Sequence, residues 1–259
     1  MANIDKSLYT KEEYRELKRK IKSERHNSTS YNVLCLKHGN KYSSNYVNTL
    51  YRMVERNLSL PFNFYCLTEN TKGLDPNIKP IMLPGGLHGW WYKPYIFSNN
   101  LPIEGTILYL DLDVVISGNL DKLFSYEPTQ WCVIRDFTRS QRPDWQKYNS
   151  SVIRFNKGQL EHVWKTFSQD PNRHIKRFFG DQDFLYDVAK DAKLWPDEWI
   201  LSWKWEIRSS KELSPGPRGT RKLTTIEDVA PPKECCICVF HGDPNPEHCD
   251  DPWVVDNWK

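Results

Sequence analysis

The chain lacks any apolar run approaching the roughly 20 residues of a membrane-spanning helix. Its opening, Met1-Ala-Asn-Ile-Asp-Lys6, is polar and lacks the apolar stretch of a secretory signal. A cytoplasmic protein is therefore expected. Charge of one sign is also scarce: 36 basic against 33 acidic residues leave +3, too little to suggest a nucleic-acid partner. Glycine is sparse where one competing chemistry needs it. The segment His38-Gly-Asn-Lys41 is too poor in Gly for the phosphate-cradling loop of a nucleotidyltransferase. Without a secretory signal, the seven cysteines, an odd number, read as reduced thiols. Several crowd the tail with two histidines: Cys235, Cys236, Cys238, His241, His248 and Cys249. A strand sends alternate residues to opposite faces, which argues against zinc there.

What is present fits one large α/β domain, with enough chain among 259 residues for a substantial core. Eleven Trp and thirteen Tyr suit either core packing or sugar-stacking surfaces. Lys11 to Glu24 is a charged helical stretch whose apolar stripe, Tyr14, Leu17 and Ile21, is thin. It reads as an appended helix, dividing the chain into 1–26 and a main domain over 27–259. Tyr31 to Leu36 is the first core strand. A helix from Ser44 to Asn57 carries Val47, Leu50, Tyr51 and Val54 on one face. Phe62 to Leu67 is the second strand, so a right-handed parallel crossover is expected. A third strand spans Ile78 to Leu83, and Trp90 to Phe97 should begin a helix. Further strands cover Trp131–Arg135 and Tyr148–Phe155. Helices cover Lys157–Phe167 and the stretch opened by Gly180. Ser209 to Glu227, rich in Lys, Arg, Pro and Gly, reads as a mobile loop suited to a lid.

The chain is organised around Thr106-Ile-Leu-Tyr-Leu-Asp111-Leu-Asp113-Val-Val-Ile116. Ile107 to Leu110 is the continuous apolar run of a buried parallel strand. Read as its continuation, Asp111 and Asp113 share one face and Leu112 takes the other. Two carboxylates projecting together repel unless a cation sits between them, and a hard divalent ion is the economical solution. Strand carboxyl ends are also where open α/β sheets bind ligands.

These residues, with Ser117-Gly-Asn-Leu-Asp-Lys-Leu-Phe124 after them, resemble the D-x-D segment of GT-A-fold glycosyltransferases. The likeness is to glycosyltransferase family 8, the glycogenin and bacterial galactosyltransferase type. Cys35 to Tyr42 resembles the opening of such enzymes, Asn149-Ser-Ser-Val152 their Asn-Ser-Gly-Val, and Gly180-Asp-Gln-Asp-Phe-Leu185 their Asp-Gln motif. The resemblance implies a single Rossmann-like GT-A domain with a mostly parallel sheet and helices on both faces. It implies a nucleotide-sugar donor, UDP- or GDP-linked, held by the loop from Leu36 and Lys37 to Tyr42, by Lys93, and by Asp111 and Leu112. Asn149 would lie near the transferred sugar, although Ser151 replaces the family's usual Gly. Asp181 and Gln182 would hold the sugar at the reacting carbon. Asp111, Asp113 and His241 would ligate Mn2+ or Mg2+. The tail loop carries Asn245 where the family has a diphosphate-binding lysine, so charge compensation would come from the metal, Lys93 or another base such as Lys204, or the site is weak.

The resulting expectation is a metal-dependent hexosyltransferase acting on a glycan, lipid or protein hydroxyl, with retention of configuration. A metal-dependent nucleotidyltransferase and a non-catalytic sugar-binding module are the alternatives.

Overall fold

The computed structural model describes Thr10, Glu12 and residues 31–207, 213–215, 221–223 and 229–259. The expected helix over Lys11 to Glu24 lies almost wholly outside them. Seven strands form the main sheet: β1 (Tyr31–Lys37), β2 (Phe62–Thr68), β3 (Ile78–Met82), β4 (Thr106–Leu110), β6 (Cys132–Arg135), β7 (Tyr148–Asn156) and β8 (Lys193–Leu194). Their order is β3-β2-β1-β4-β7-β6-β8. The first four run parallel, β7 is antiparallel to both β4 and β6, and β8 is parallel to β6. The α/β class and mostly parallel sheet are as the sequence implied.

Side-chain alternation along the strands builds a core on each face. Val33 and Cys35 of β1, with Leu108 and Leu110 of β4, enter one core; Leu34, Ile107 and Tyr109 enter the other. Helix α1 (Ser44–Asn57) covers the first face with Val47, Leu50, Met53 and Val54, recurring at helical spacing. The second face is covered by the 3-10 segment Gly89–Phe97, α3 (Glu161–Gln169) and α5 (Asp181–Val188), through Trp91, Ile96, Phe97, Val163, Phe167, Phe184 and Leu185. Two shorter helices, α2 (Asp121–Ser125) and α4 (Pro171–Arg177), fill connections, and α6 (Pro252–Asn257) lies near the chain's end.

A second sheet was not legible in the sequence. It has the order β5-β12-β9, from β5 (Val114–Ile116), β12 (Ile237–Val239) and β9 (Ile200–Ser202). β12 pairs antiparallel with β5 and parallel with β9, which carries the tail back beside the D-x-D segment. A short antiparallel pair joins β10 (Leu213–Pro215) to β11 (Arg221–Leu223). The described part of the expected mobile loop is thus a hairpin, closed by ladder hydrogen bonds rather than left unpaired. The remainder of Ser209 to Glu227 lies outside the described residues.

One buried guanidinium ties the two sheets. Arg139 follows β6 and is 5% exposed. It donates to Glu206 Oε1 at 2.8 Å, Asp197 Oδ1 at 3.0 Å, the Ile200 carbonyl at 2.7 Å and the Arg135 carbonyl at 2.8 Å. Removing one partner of a buried, hydrogen-bonded pair strands the other. Arg139→Met is therefore expected to lower the unfolding free energy by about 3–5 kcal/mol. Urea denaturation checks this; a loss below about 1 kcal/mol would show the network to be no better than a surface pair.

Candidate active site

A cavity of about 760 Å³ opens at the carboxyl ends of β1 and β4. It is lined by Leu36, Tyr42, Lys93, Asp111, Leu112, Asp113, Asn149, Asp181, Gln182 and His241. These are residues that the sequence singled out, drawn from six separate stretches of chain. Lys37, Lys204 and Asn245 do not line it. Lys37 is buried, with its ammonium turned toward the Gly39 carbonyl at 3.5 Å. Lys204 stands behind the tail loop: a Cβ on Gly242 would lie 3.0 Å from its Nζ. The Asn245 amide oxygen is buried without a hydrogen-bond partner in this structure.

The geometry of the D-x-D segment corrects the strand reading. β4 ends at Leu110, and Asp111-Leu112-Asp113 forms a turn before β5. Alternation does not apply across a turn, so Leu112 lines the cavity with both aspartates instead of facing away. The turn is pinned at both ends by main-chain bonds. Asp111 N–H donates to the Ser151 carbonyl of β7 at 2.9 Å, and Phe240 N–H, just after β12, donates to the Asp113 carbonyl at 2.9 Å. Both sheets thus fix where the carboxylates stand.

Beneath the turn lies a buried ionic cluster. Lys93 is 6% exposed, and its Nζ is 3.0 Å from Asp111 Oδ1 and 3.4 Å from Asp181 Oδ2. It also donates to Ser150 Oγ at 3.0 Å. Burial pulls the lysine pKa down, but the Asp111 and Asp181 carboxylates outweigh it and raise it above the ordinary value. The ammonium is therefore held charged. Ser150 Oγ in turn donates to Asp181 Oδ2 at 2.6 Å, and Tyr109 OH donates to Asp111 Oδ1 at 2.7 Å. Each charged group is met by several partners, as burial of charge requires.

Asp113 is the less compensated carboxylate. Its side chain accepts from Tyr42 OH at 3.1 Å. Burial first, and then the Asp111 charge, lift its pKa to about 7. Tyr42 is itself pushed well up by burial and by Asp113, so the phenol stays a neutral donor. His241 is pushed down to about 4 by burial and by the Lys204 ammonium, so the imidazole is neutral at physiological pH. Its ring stacks on Phe137 at 5.5 Å, and Nε2 shares a 2.6 Å hydrogen bond with Ser202 Oγ. Among the described residues, no three His, Cys, Asp or Glu side chains are gathered as a metal cluster. The two aspartates face the cavity together, while the histidine's Nε2 is engaged by Ser202.

The loop after β1 is braced from the neighbouring strand. Glu69, just past β2, accepts from Gly39 N–H at 2.6 Å and lies 3.6 Å from His38 Nδ1. The His38 ring packs on Tyr92 at 4.7 Å. Sequence reasoning missed Glu69, Tyr109 and Ser150. The first two follow or sit within apolar strands and read as turn and core. Ser150 lay inside a motif that drew attention to its neighbour Asn149.

No protein-family model and no curated protein matches the sequence. Solved structures do match. Over 88% of this chain and 93% of theirs, an active-site mutant of LgtC superposes at a TM-score of 0.61 with 13% identity. The galactosyltransferase LgtC in complex with donor and acceptor sugar analogues gives 0.59 at 14% identity, over 88% and 95%. The glycosyltransferase GlyE of Streptococcus pneumoniae TIGR4 gives 0.56 at 14%, covering 85% of this chain and 56% of that one. A superposition of this extent at such low identity speaks for architecture. The chain has the GT-A glycosyltransferase fold.

Proposed function

We propose that the chain is a nucleotide-sugar glycosyltransferase whose donor binds across the D-x-D turn, between the loop after β1 and the start of α5. The observation that carries this reading is the Lys93 cluster. It sets Asp111, of the D-x-D turn, and Asp181, of the Asp-Gln pair, on one ammonium at the base of one cavity. The fold shared with known glycosyltransferases supports the same reading.

The residues present fit a hard divalent ion. Two carboxylates share a turn, and one is pushed toward neutrality by burial and by the other, a tension that a dication relieves. Asp111 and Asp113 would hold Mn2+ or Mg2+, with neutral His241 as third ligand once its bond to Ser202 is exchanged. Such an ion, when bound, supplies Lewis acidity that neutralises charge on the departing diphosphate. The chain's own groups do the rest. Backbone and side chains from Leu36 to Tyr42 bind the nucleotide, with Glu69 bracing the loop. Asn149 and Gln182 offer amides to sugar hydroxyls. Asp181, fixed by Lys93 and Ser150, stands beside the reacting carbon.

In the transfer, the bond between the sugar's anomeric carbon and the diphosphate oxygen breaks, its electron pair leaving on that oxygen. The acceptor hydroxyl oxygen forms the new bond to the anomeric carbon, and its proton passes to the departing phosphate oxygen. A hexose donor and retention of configuration follow from the likeness to family 8, and proton NMR of the first-formed product reads the anomeric outcome. A hydroxyl on a glycan, lipid or protein serves as acceptor.

Asp113→Asn keeps the shape and removes the charge. It is expected to weaken Mn2+ binding at least about tenfold, as loss of a charged ligand does. Electron paramagnetic resonance titration of Mn2+, with UDP and with GDP, reads this directly. Unchanged Mn2+ affinity would remove the metal from this turn.

Asp181→Asn is expected to cut turnover by about a hundredfold or more while nucleotide affinity stays near wild type. Release of UDP or GDP from a panel of nucleotide-sugars measures the first, and calorimetry the second. A loss confined to affinity would place Asp181 on the nucleotide rather than at the reacting centre.

A further inference from the structure

Among the described residues, the large apolar side chains that stand out in solvent are Met82, Trp90, Phe179 and Val255. Two of them, Trp90 and Phe179, line the cavity that holds Asp111 and Asp181. Phe179 is 95% exposed and Trp90 is 56% exposed. Each is the outer member of an aromatic pair. Trp91, beside Trp90, is buried and stacks on Phe167 at 5.7 Å. Phe178, beside Phe179, packs on Phe184 at 5.6 Å. The inner ring anchors the backbone, so the outer ring is held out at the rim.

The backbone that carries Phe179 runs beside Trp90. A Cβ on Gly180 would lie 3.9 Å from the Trp90 indole nitrogen, and Gly180 directly follows Phe179. The backbone at Gly180 thus passes under the indole on its way into α5. Below this aromatic rim the cavity turns polar, with Asp181, Gln182, Asp183 and Asn149. Exposed rings above carboxylates and amides match one ligand chemistry: a pyranose, whose CH face packs on aromatic surface while its hydroxyls hydrogen-bond. The polar groups at the base are read to hold the donor sugar, and the loop after β1 its nucleotide. The rings stand outside both, exposed at the cavity's mouth, where the second substrate enters.

We propose that Trp90 and Phe179 form the acceptor platform, and that the acceptor presents a pyranose ring to them. The proposal rests on the glycosyltransferase reading above and names the substrate class at the acceptor end of that site. It makes both rings specificity-determining groups.

Saturation-transfer NMR tests it on the full chain with Mn2+ and either UDP or GDP. The probes are the methyl glycosides of glucose, galactose, mannose and N-acetylglucosamine, with lactose and cellobiose. At least one should bind wild type and receive saturation on its ring CH protons. Trp90→Ala and Phe179→Ala should each weaken that binding by about tenfold. Calorimetry should show nucleotide affinity unchanged, and because both rings are exposed the thermal transition should not move. Unchanged glycoside binding in both variants overturns the assignment. So does a loss of nucleotide affinity, which would put the rings on the donor, and so does a wild type that binds nucleotide but no glycoside. A wild type that binds glycosides through these rings but no nucleotide instead removes the transferase reading and leaves the sugar platform standing.

Discussion

The site depends on one ammonium group. Lys93 is buried, and taking its charge out of water costs several kcal/mol that only close counter-charges offset. Asp111 and Asp181 supply them at 3.0 and 3.4 Å, and Ser150 adds a hydrogen bond at 3.0 Å. These groups come from three places far apart in sequence: the end of β4, the start of α5 and the start of β7. Removing any one strands charge, so the cluster enforces their mutual positions. The consequence reaches the chemistry. Lys93 is spent on Asp111 and Asp181, and the Lys41 ammonium lowers Asp113 less than burial and Asp111 raise it, so that carboxyl is pushed up to about 7. The same cluster that builds the floor of the cavity leaves its upper carboxyl short of counter-charge.

The tail completes the arrangement from the other side. β12 lies between β5 and β9, all three of its residues buried. That apolar strip delivers Phe240 to the Asp113 carbonyl and His241 to the cavity. Burial and Lys204 keep the imidazole neutral. Phe137 and Trp205 stack on it at 5.5 and 6.4 Å, fixing its plane. Arg139 secures the elements that carry Phe137 and Ser202. The histidine's orientation is thus set from the second sheet, through Ser202 and Trp205, and by Phe137 just past β6 of the first.

Legibility followed local physics. Strands β1, β2 and β4 and helix α1 carry strong periodic patterns, and their extents were readable to within a residue or two. Asp111, Asp113, Asp181, Gln182 and Asn149 line the cavity, and the sequence singled them out because short motifs hold them. What failed was what depends on long-range packing. β8 and β9 are two and three residues long and have no pattern of their own. The D-x-D segment was read as strand because alternation was assumed to continue past Leu110. Lys37 and Asn245 were assigned by position in a loop and Lys204 as a base beside it, and sequence alone does not say which way such side chains turn. Lys93 was placed near the donor, yet its part in joining Asp111 to Asp181 could not be seen without distances.

Topology explains why these groups meet where they do. The strand order β3-β2-β1-β4 reverses direction between β1 and β4, which lie parallel and adjacent. Connections leaving their carboxyl ends must diverge to opposite sides, so a crevice opens between them. The chain leaving β1 forms the loop braced by Glu69, and the chain leaving β4 forms the D-x-D turn. β7, antiparallel on the far side of β4, presents its opening residues Asn149 to Ser151 at the same edge. Antiparallel pairing is what achieves this: a parallel β7 would have brought its carboxyl end, Phe155 and Asn156, to the crevice instead. The polar start of that strand and its apolar end, Ile153 and Phe155, are thus distributed between site and core by strand direction alone.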